Sequence, residues 1–234
     1  GVYEAKSTPS GLTRNLQQCL DDYDIPLYLS HTVTRVYGKD RLEAVQIAKV
    51  DENMRPIAGT EQKISCDALI LSVGLIPENE LAESLNIKID PKTRGPVCDE
   101  NFMTNVGGIF TCGNATHVND LVDYVSESAE IAGKAAAQYS SERTEYVNIE
   151  ADSSLLYCVP QRLNINNLGN TTMYFRSREI LENAEFEIYL GDKVCFSKKY
   201  RHLKPPEMER LVIDFSKYEI QNGDTIKLTV RRAK

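Results

Sequence analysis

The stretch that most limits what this chain can fold into is TNVGGIFTCGN, residues 104–114, followed after a short loop by an alanine- and glycine-rich run over residues 125–137. A Gly107-Gly108 turn feeds a short apolar strand, Ile109-Phe110-Thr111, which stops at Gly113-Asn114, where a missing side chain lets a ligand approach the backbone closely. A cofactor site at the carboxyl end of a parallel strand is built in this way. In the following run Val125, Ala129, Ala132, Gly133 and Ala136 recur at the spacing of one buried helix face. The amino end of that helix would aim unpaired N–H groups and a positive dipole end at whatever lies beyond Gly113. On spacing alone, any strand, loop and helix of an α/β core reads the same way.

These residues resemble the second flavin-binding signature of the two-dinucleotide-domain flavoprotein oxidoreductases, the thioredoxin reductase and pyridine nucleotide-disulfide oxidoreductase superfamily. The signature's Thr, apolar, aromatic, small, variable and Gly-Asp positions are filled here by Thr104, Ile109, Phe110, Thr111, Cys112, Gly113 and Asn114. Thr111 stands for the usual Ala, and Asn114 for the Asp that in the family holds a hydroxyl of the flavin's ribityl chain. Asn keeps a carbonyl acceptor and gains donors but loses the charge. The resemblance implies FAD held at Gly113 and Asn114, with Asp123, Tyr124 and Val125 at the helix start near the flavin ring.

A second segment, SCDALILSVGLIPENEL at residues 65–81, contains an apolar run over residues 68–73, then Gly74 and a Pro77 turn. Periodicity predicts a buried parallel strand and nothing more. It resembles the family strand that leaves the nicotinamide-nucleotide domain for the flavin domain, with Asp67, Gly74, Pro77 and Asn79 in the matching places. Gly74 joins the implied cofactor-binding residues on that ground.

Upstream, residues 11–23 predict a helix with Leu12, Leu16, Cys19, Leu20 and Tyr23 on one face. Residues 25–36 predict strand, and residues 45–50 and 61–65 flank an Asn53-Met54-Arg55-Pro56 turn as a hairpin. This order is what remains of a nicotinamide-nucleotide domain without its first strand and glycine-rich turn; no G-x-G-x-x-G occurs in the sequence. Glu4 stands where the acidic residue that caps the adenosine ribose would fall, which implies NAD(H). A solvated glutamate at a strand end is the other reading.

A net charge of −7, with no Lys/Arg patch above background, argues against a nucleic-acid partner. No apolar run approaches the roughly 20 residues that cross a bilayer, and no charged-then-apolar leader opens the chain, so the expectation is a cytoplasmic protein without membrane insertion. Cys19, Cys66, Cys98, Cys112, Cys158 and Cys195 lie far apart with no metal-ligand spacing and read as small buried hydrophobes of a reducing compartment. Cys112, at the flavin edge, reads as packing in preference to redox chemistry. In thioredoxin reductases the dithiol lies upstream of the nicotinamide glycine-rich turn, outside these residues. His31, His117 and His202 form no triad, and His117 reads as a solvated loop residue with cofactor or substrate contact as the sharper alternative.

Beyond residue 140 the pattern changes. A polar bridge over residues 142–154 leads to seven expected strands at residues 155–159, 162–165, 171–178, 185–190, 194–199, 208–215 and 225–232. Alternation of Met173 and Phe175 with Tyr174 and Arg176, and of Phe186, Ile188 and Leu190 with Glu187 and Tyr189, predicts one buried face per strand. The expected fold class is an α/β incomplete two-dinucleotide-binding-domain flavoprotein fold, followed by a C-terminal all-β sandwich, immunoglobulin-like by analogy of architecture alone. The corresponding domains are residues 1–78 (partial NAD-binding), 79–147 (C-terminal part of the FAD-binding domain) and 148–234 (β-sandwich).

The resemblance implies part of an FAD-dependent enzyme passing electrons between NAD(H) and a small-molecule substrate or an electron-acceptor protein, with no catalytic residue assignable. The isolated chain is expected to be inactive and to bind flavin poorly. The alternative is a non-catalytic binding or assembly subunit with a degenerate nucleotide fold. In either case the β region is available for homo-oligomer or hetero-subunit contact.

Overall fold

The structure, a computed structural model, describes residues 1–233. The chain divides into two compact units, Gly1–Gly74 and Leu75–Lys234.

In the first unit β1 (Val2–Glu4) pairs in parallel with β2 (Leu27–Leu29), and α1 (Thr13–Cys19) lies between them in sequence. Parallel pairing forces such a crossover connection. Leu12, Leu16 and Leu20 form the half-buried stripe expected of the helix, whereas Cys19 and Tyr23 are exposed. The expected strand over residues 25–36 is split by Ser30, whose φ of 56° turns the chain between β2 and β3 (His31–Tyr37). With β4 (Ala44–Lys49) and β5 (Gln62–Ser65), β3 makes an antiparallel sheet in the order β3-β4-β5. The central strand is the core of this unit: Ala44, Val45, Ile47 and Ala48 are all buried.

Residues 68–73 correct the sequence expectation, because they form no strand and Ile70 and Val73 are 90% and 87% exposed. A strand that is apolar on both faces is stable only between two hydrogen-bonded neighbours and under a covering layer. None of the described residues pairs with this run.

The second unit opens with α2 (Glu80–Ser84), continues through a hairpin-like segment joined by the isolated bridges Ile89↔Pro96, Cys98↔Thr104 and Met103↔Phe110, and reaches α3 (Val122–Ala137). The strand expected at Ile109-Phe110-Thr111 is thus reduced to an antiparallel bridge. Eight strands follow: β6 (Tyr146–Ala151), β7 (Leu155–Val159), β8 (Arg162–Asn164), β9 (Asn170–Ser177), β10 (Leu181–Leu190), β11 (Lys193–Leu203), β12 (Glu209–Asp214) and β13 (Thr225–Arg232). All seven expected strands are present. β6 lies inside the expected polar bridge; its buried Val147 and Ile149 alternate with exposed Asn148 and Glu150, and two apolar residues are a weak strand signal.

These strands form a five-stranded sheet, β11-β10-β13-β6-β8, and a three-stranded sheet, β12-β9-β7, which contribute to one apolar core. Phe175 and Phe186 stack there with ring centroids 4.4 Å apart. The expectation of one buried face per strand fails for β9. Met173 and Phe175 enter this core, while Tyr174, on the opposite face, is fully buried in a second cluster with Cys98, Phe102, Ala132, Tyr157, Val159 and Met208. That second cluster packs α3 and the 98–110 segment onto the β7–β9 pair.

The segment leading into the signature is fastened to the five-stranded sheet by polar contacts. Arg162 donates to the carbonyls of Met103 and Thr104 and lies over the Tyr146 ring, 4.1 Å from its centroid. Glu100 accepts from the Asn164 N–H at 2.9 Å. Burial, with the neighbouring Asp99 carboxylate adding to it, raises the Glu100 carboxyl from 4.5 to about 7. A carboxyl raised in the folded state stabilises the fold fully below its unfolded value, and that stabilisation is lost as pH climbs from about 4.5 through about 7. Glu100→Gln is therefore expected to be more stable than the parent by about 2–3 kcal/mol at pH 8 and nearly equal to it at pH 4.5. Urea midpoints at the two pH values check this, and a Gln variant that is less stable at pH 8 would contradict it.

Candidate functional site

The signature residues converge on one turn of the second unit. Gly113–Ala115 is a single 3-10 turn, Gly113 is buried with φ +59°, and its N–H donates to Ser128 Oγ at 2.9 Å. The Ser128 hydroxyl donates in turn to the Val125 carbonyl at 2.8 Å, so the first turns of α3 are tied to the glycine. A Cβ at position 113 would meet Val125 Cγ1 at 3.0 Å, tighter than side chains ordinarily tolerate in a backbone conformation that already disfavours them.

Three further contacts fix the turn. Asn79 Nδ2 donates to the carbonyls of Ala115 and Arg94, both at 2.9 Å. Thr111 Oγ1 and Thr116 Oγ1 hydrogen-bond at 2.8 Å in the interior. Gly95 backs directly onto the Thr116 carbonyl, which any Cβ there would overlap. Asn79 of the second motif segment thus holds Ala115, the residue that follows the signature.

Of the implied cofactor residues, Gly113, Asn114, Asp123, Tyr124 and Val125 lie around this turn and the start of α3. Asn114 is exposed, and its Oδ1 accepts from the Asn119 N–H at 3.1 Å. Its Nδ2 is left free to donate outward, among the described residues. Asp123 is exposed in the first turn of α3, where no side chain caps the helix. Tyr124 is half-buried with its ring against Tyr174, 5.8 Å between centroids. The other two lie in the first unit. Glu4 ends β1; burial would raise its carboxyl, but hydrogen bonds from the Lys6 N–H and the Ser10 side chain outweigh this and hold it below the usual carboxylate value. Gly74 is exposed with φ +93° and nothing near its missing side chain.

The face of α3 is rotated from the periodic reading. Ser128 and Ala132 are buried and Tyr124, Ile131 and Ala135 half-buried, whereas Ala129, Gly133 and Ala136 face solvent. The tyrosines of the three-stranded sheet and the Gly113 hydrogen bond select this face, and small residues carry too little apolar area to resist. Cys112 and Cys19 are exposed, a correction to their reading as buried hydrophobes, while Cys98 and Cys158 are buried. His117 is also corrected: it is 1% exposed, not solvated.

The side chains that hold the following loop belong to the β-rich region. Arg176 on β9 donates to Asp120, to the Val118 carbonyl at 3.3 Å and to Tyr157 OH at 2.8 Å, and Asp120 also accepts from the Met208 N–H at 2.6 Å. On α3 itself, Glu127 receives Arg210 Nε at 2.7 Å and Tyr174 OH at 2.6 Å. The hydrogen bond from Arg210, more than burial opposes it, holds the Glu127 carboxyl below its usual range. Sequence reasoning placed Tyr174 and Arg176 on the outward row of β9; the signal it had was two well-formed rows on one strand, which is how a strand covered on both sides reads.

Among the described residues no group of three or more His, Cys, Asp and Glu side chains has metal-binding geometry, and no helix is long and apolar enough to cross a membrane. Residues 4–138 match the pyridine nucleotide-disulphide oxidoreductase family. A ferredoxin–NADP reductase of Picrophilus torridus is 22% identical over 127 residues, 54% of this chain and 36% of the relative. Among solved structures, thioredoxin reductase of Lactococcus lactis superposes with a TM-score of 0.50 at 17% identity, over 58% of this chain and 43% of that one. The chain spans a little over a third of the first protein's length and less than half of the second's. The second likeness is one of fold.

Proposed function

The chain belongs to the pyridine nucleotide-disulphide oxidoreductase family, and from that premise we propose that it is part of an FAD-dependent oxidoreductase moving electrons between NAD(H) and a small-molecule substrate or an electron-acceptor protein. One observation carries the reading. The glycine turn, the free amide of Asn114 and the uncapped start of α3 are assembled at one place by the Asn79 bond to Ala115 and the Gly113 bond to Ser128.

The residues fit a flavin. With Oδ1 held by Asn119, the Asn114 Nδ2 donates to a ribityl hydroxyl, a neutral bond in place of the family's charge-assisted one. The backbone at Asp123 and Val125 offers N–H groups, and the start of α3 the positive end of the helix dipole, to the pyrimidine edge, where negative charge collects on reduction, while the Tyr124 N–H is held by the Leu121 carbonyl at 3.2 Å. When bound, flavin supplies the two-electron acceptor for a nicotinamide hydride. In the first unit, Glu4 is kept ionised at neutral pH and so accepts from a ribose hydroxyl while disfavouring a 2′-phosphate. Gly74 leaves open backbone at the end of the first unit. The β-rich region, read as a sandwich of immunoglobulin-like type, supports the loop that follows the turn.

The coding sequence read upstream of Gly1 provides the test. An extended polypeptide with two glycine-rich phosphate turns is expected to purify yellow with stoichiometric FAD and to bleach anaerobically with NADH. In that protein Asn114→Ala is expected to weaken FAD about tenfold by losing one hydrogen bond to the ligand. A colourless extended protein would overturn the reading in favour of an assembly subunit, and FAD affinity indifferent to Asn114 would overturn the site.

A further inference from the structure

Asparagine and aspartate make different demands on a binding site. A carboxylate accepts through either oxygen, so a hydroxyl partner is indifferent to which one it meets. An amide has one accepting end and one donating end, and it offers a defined group only where something fixes which end points outward. Position 114, the Asp place of the family signature, carries an Asn. The element that fixes it lies five residues further along the chain.

The Asn119 backbone N–H reaches Asn114 Oδ1 at 3.1 Å, and a backbone N–H can only donate, so the end facing it is the accepting one. Asn119 Nδ2 approaches the same oxygen at 3.4 Å and donates to the His117 carbonyl at 2.9 Å. Both of its hydrogens are spent inside the loop, and Asn119 Oδ1 is left buried without a partner. That unpaired oxygen costs free energy. Turning the Asn119 amide over would nevertheless be worse, because its oxygen would then face two acceptors, the His117 carbonyl and Asn114 Oδ1. The frame is firm on either side: the Val118 carbonyl and the Asp120 carboxylate, flanking Asn119, are both held by Arg176.

We propose that Asn119 is a positioning residue of the flavin site, which fixes the Asn114 amide with Nδ2 outward and so lets a neutral side chain hold the ribityl hydroxyl that the family holds with a carboxylate. This role rests on the flavin reading above; in it the protein donates and the ligand oxygen accepts.

Two measurements test it. In this chain, labelled with ¹⁵N, the Asn119 backbone N–H is expected to exchange about fivefold faster in Asn114→Ala than in the parent, and to stay protected in Asn114→Asp, whose carboxylate still accepts. In the extended polypeptide, FAD affinity reads the consequence. Asn119→Ala is expected to weaken FAD about fivefold by loosening the Asn114 amide. Asn114→Asp is expected to bind FAD at least as tightly as the parent, and adding Asn119→Ala to it should change nothing, because a carboxylate needs no orienting partner. A residue required only for folding of the loop would weaken FAD equally in both backgrounds, and that result would overturn the proposal. So would parental affinity in Asn119→Ala, or exchange at Asn119 that ignores Asn114→Ala. An extended polypeptide that takes up no FAD would overturn the flavin reading and this role with it, while the exchange result on the present chain would stand.

Discussion

Arg176→Met is expected to lower the unfolding free energy of the second unit by about 3–5 kcal/mol, the range seen when one partner of a buried ion pair is removed. The side chains of Arg176 and Asp120 are 12% and 14% exposed. Truncating the cation would leave the Asp120 carboxylate with the Met208 N–H as its remaining strong partner and would free the Tyr157 hydroxyl and the carbonyls of Val118 and Pro206. Methionine fills much of the arginine stem's volume, so the loss measures the polar network rather than a cavity. Urea unfolding of parent and variant provides the number. Adding Asp120→Asn should recover a large part of the loss by removing the stranded charge. A single variant within about 1 kcal/mol of the parent would show that the network contributes little. The consequence for the site is direct, because Arg176 binds the loop between the glycine turn and α3; amide exchange of residues 118–120 should quicken in Arg176→Met before global unfolding does.

Gly95→Ala is expected to cost about 3 kcal/mol or more, at or beyond the upper end of ordinary overpacking. The added methyl would overlap the Thr116 carbonyl, and backbone cannot swing aside as a flexible side chain can. Moving Thr116 means disturbing its N–H to Gly113, its hydroxyl contact with Thr111 and the neighbouring Asn79 bond to Ala115. The variant should melt well below the parent and show fast amide exchange confined at first to residues 113–117. A Gly95→Ala protein as stable as the parent would mean that the close approach of these two backbones is not what holds the turn. Gly95 makes a better probe than Gly113, since its requirement is space alone and not an unusual φ.

Much of this was legible in the residues. Thr104 to Asn114 and Asp67 to Asn79 identified the family because close backbone approach and tight turns need particular small residues at fixed intervals, and those needs are local. Alternation in β9 and β10 was equally readable, since a strand flanked by turn residues writes its period into four or five positions. Which row of each strand met what was not. Glu187 reads as an outward charge, yet it is 3% exposed and paired with Arg231 from the adjacent strand. His117 reads as a solvated loop residue, yet two tyrosines from the β-rich region close over it.

By itself the amino-acid sequence determined the turn at Gly113-Asn114, the helix after it, the family, and the seven β segments detected beyond residue 140. Local sterics and hydrogen-bonding periods set these, and they act over a few residues. Only the tertiary structure decided that α3 buries Ser128 and Ala132 rather than Ala129 and Gly133, that residues 68–73 stay unpaired, and that Arg176 and Arg210 anchor the loop and helix beside the turn. Those outcomes depend on which surfaces meet from positions some 50 to 80 residues apart, and no local pattern encodes a partner at that distance.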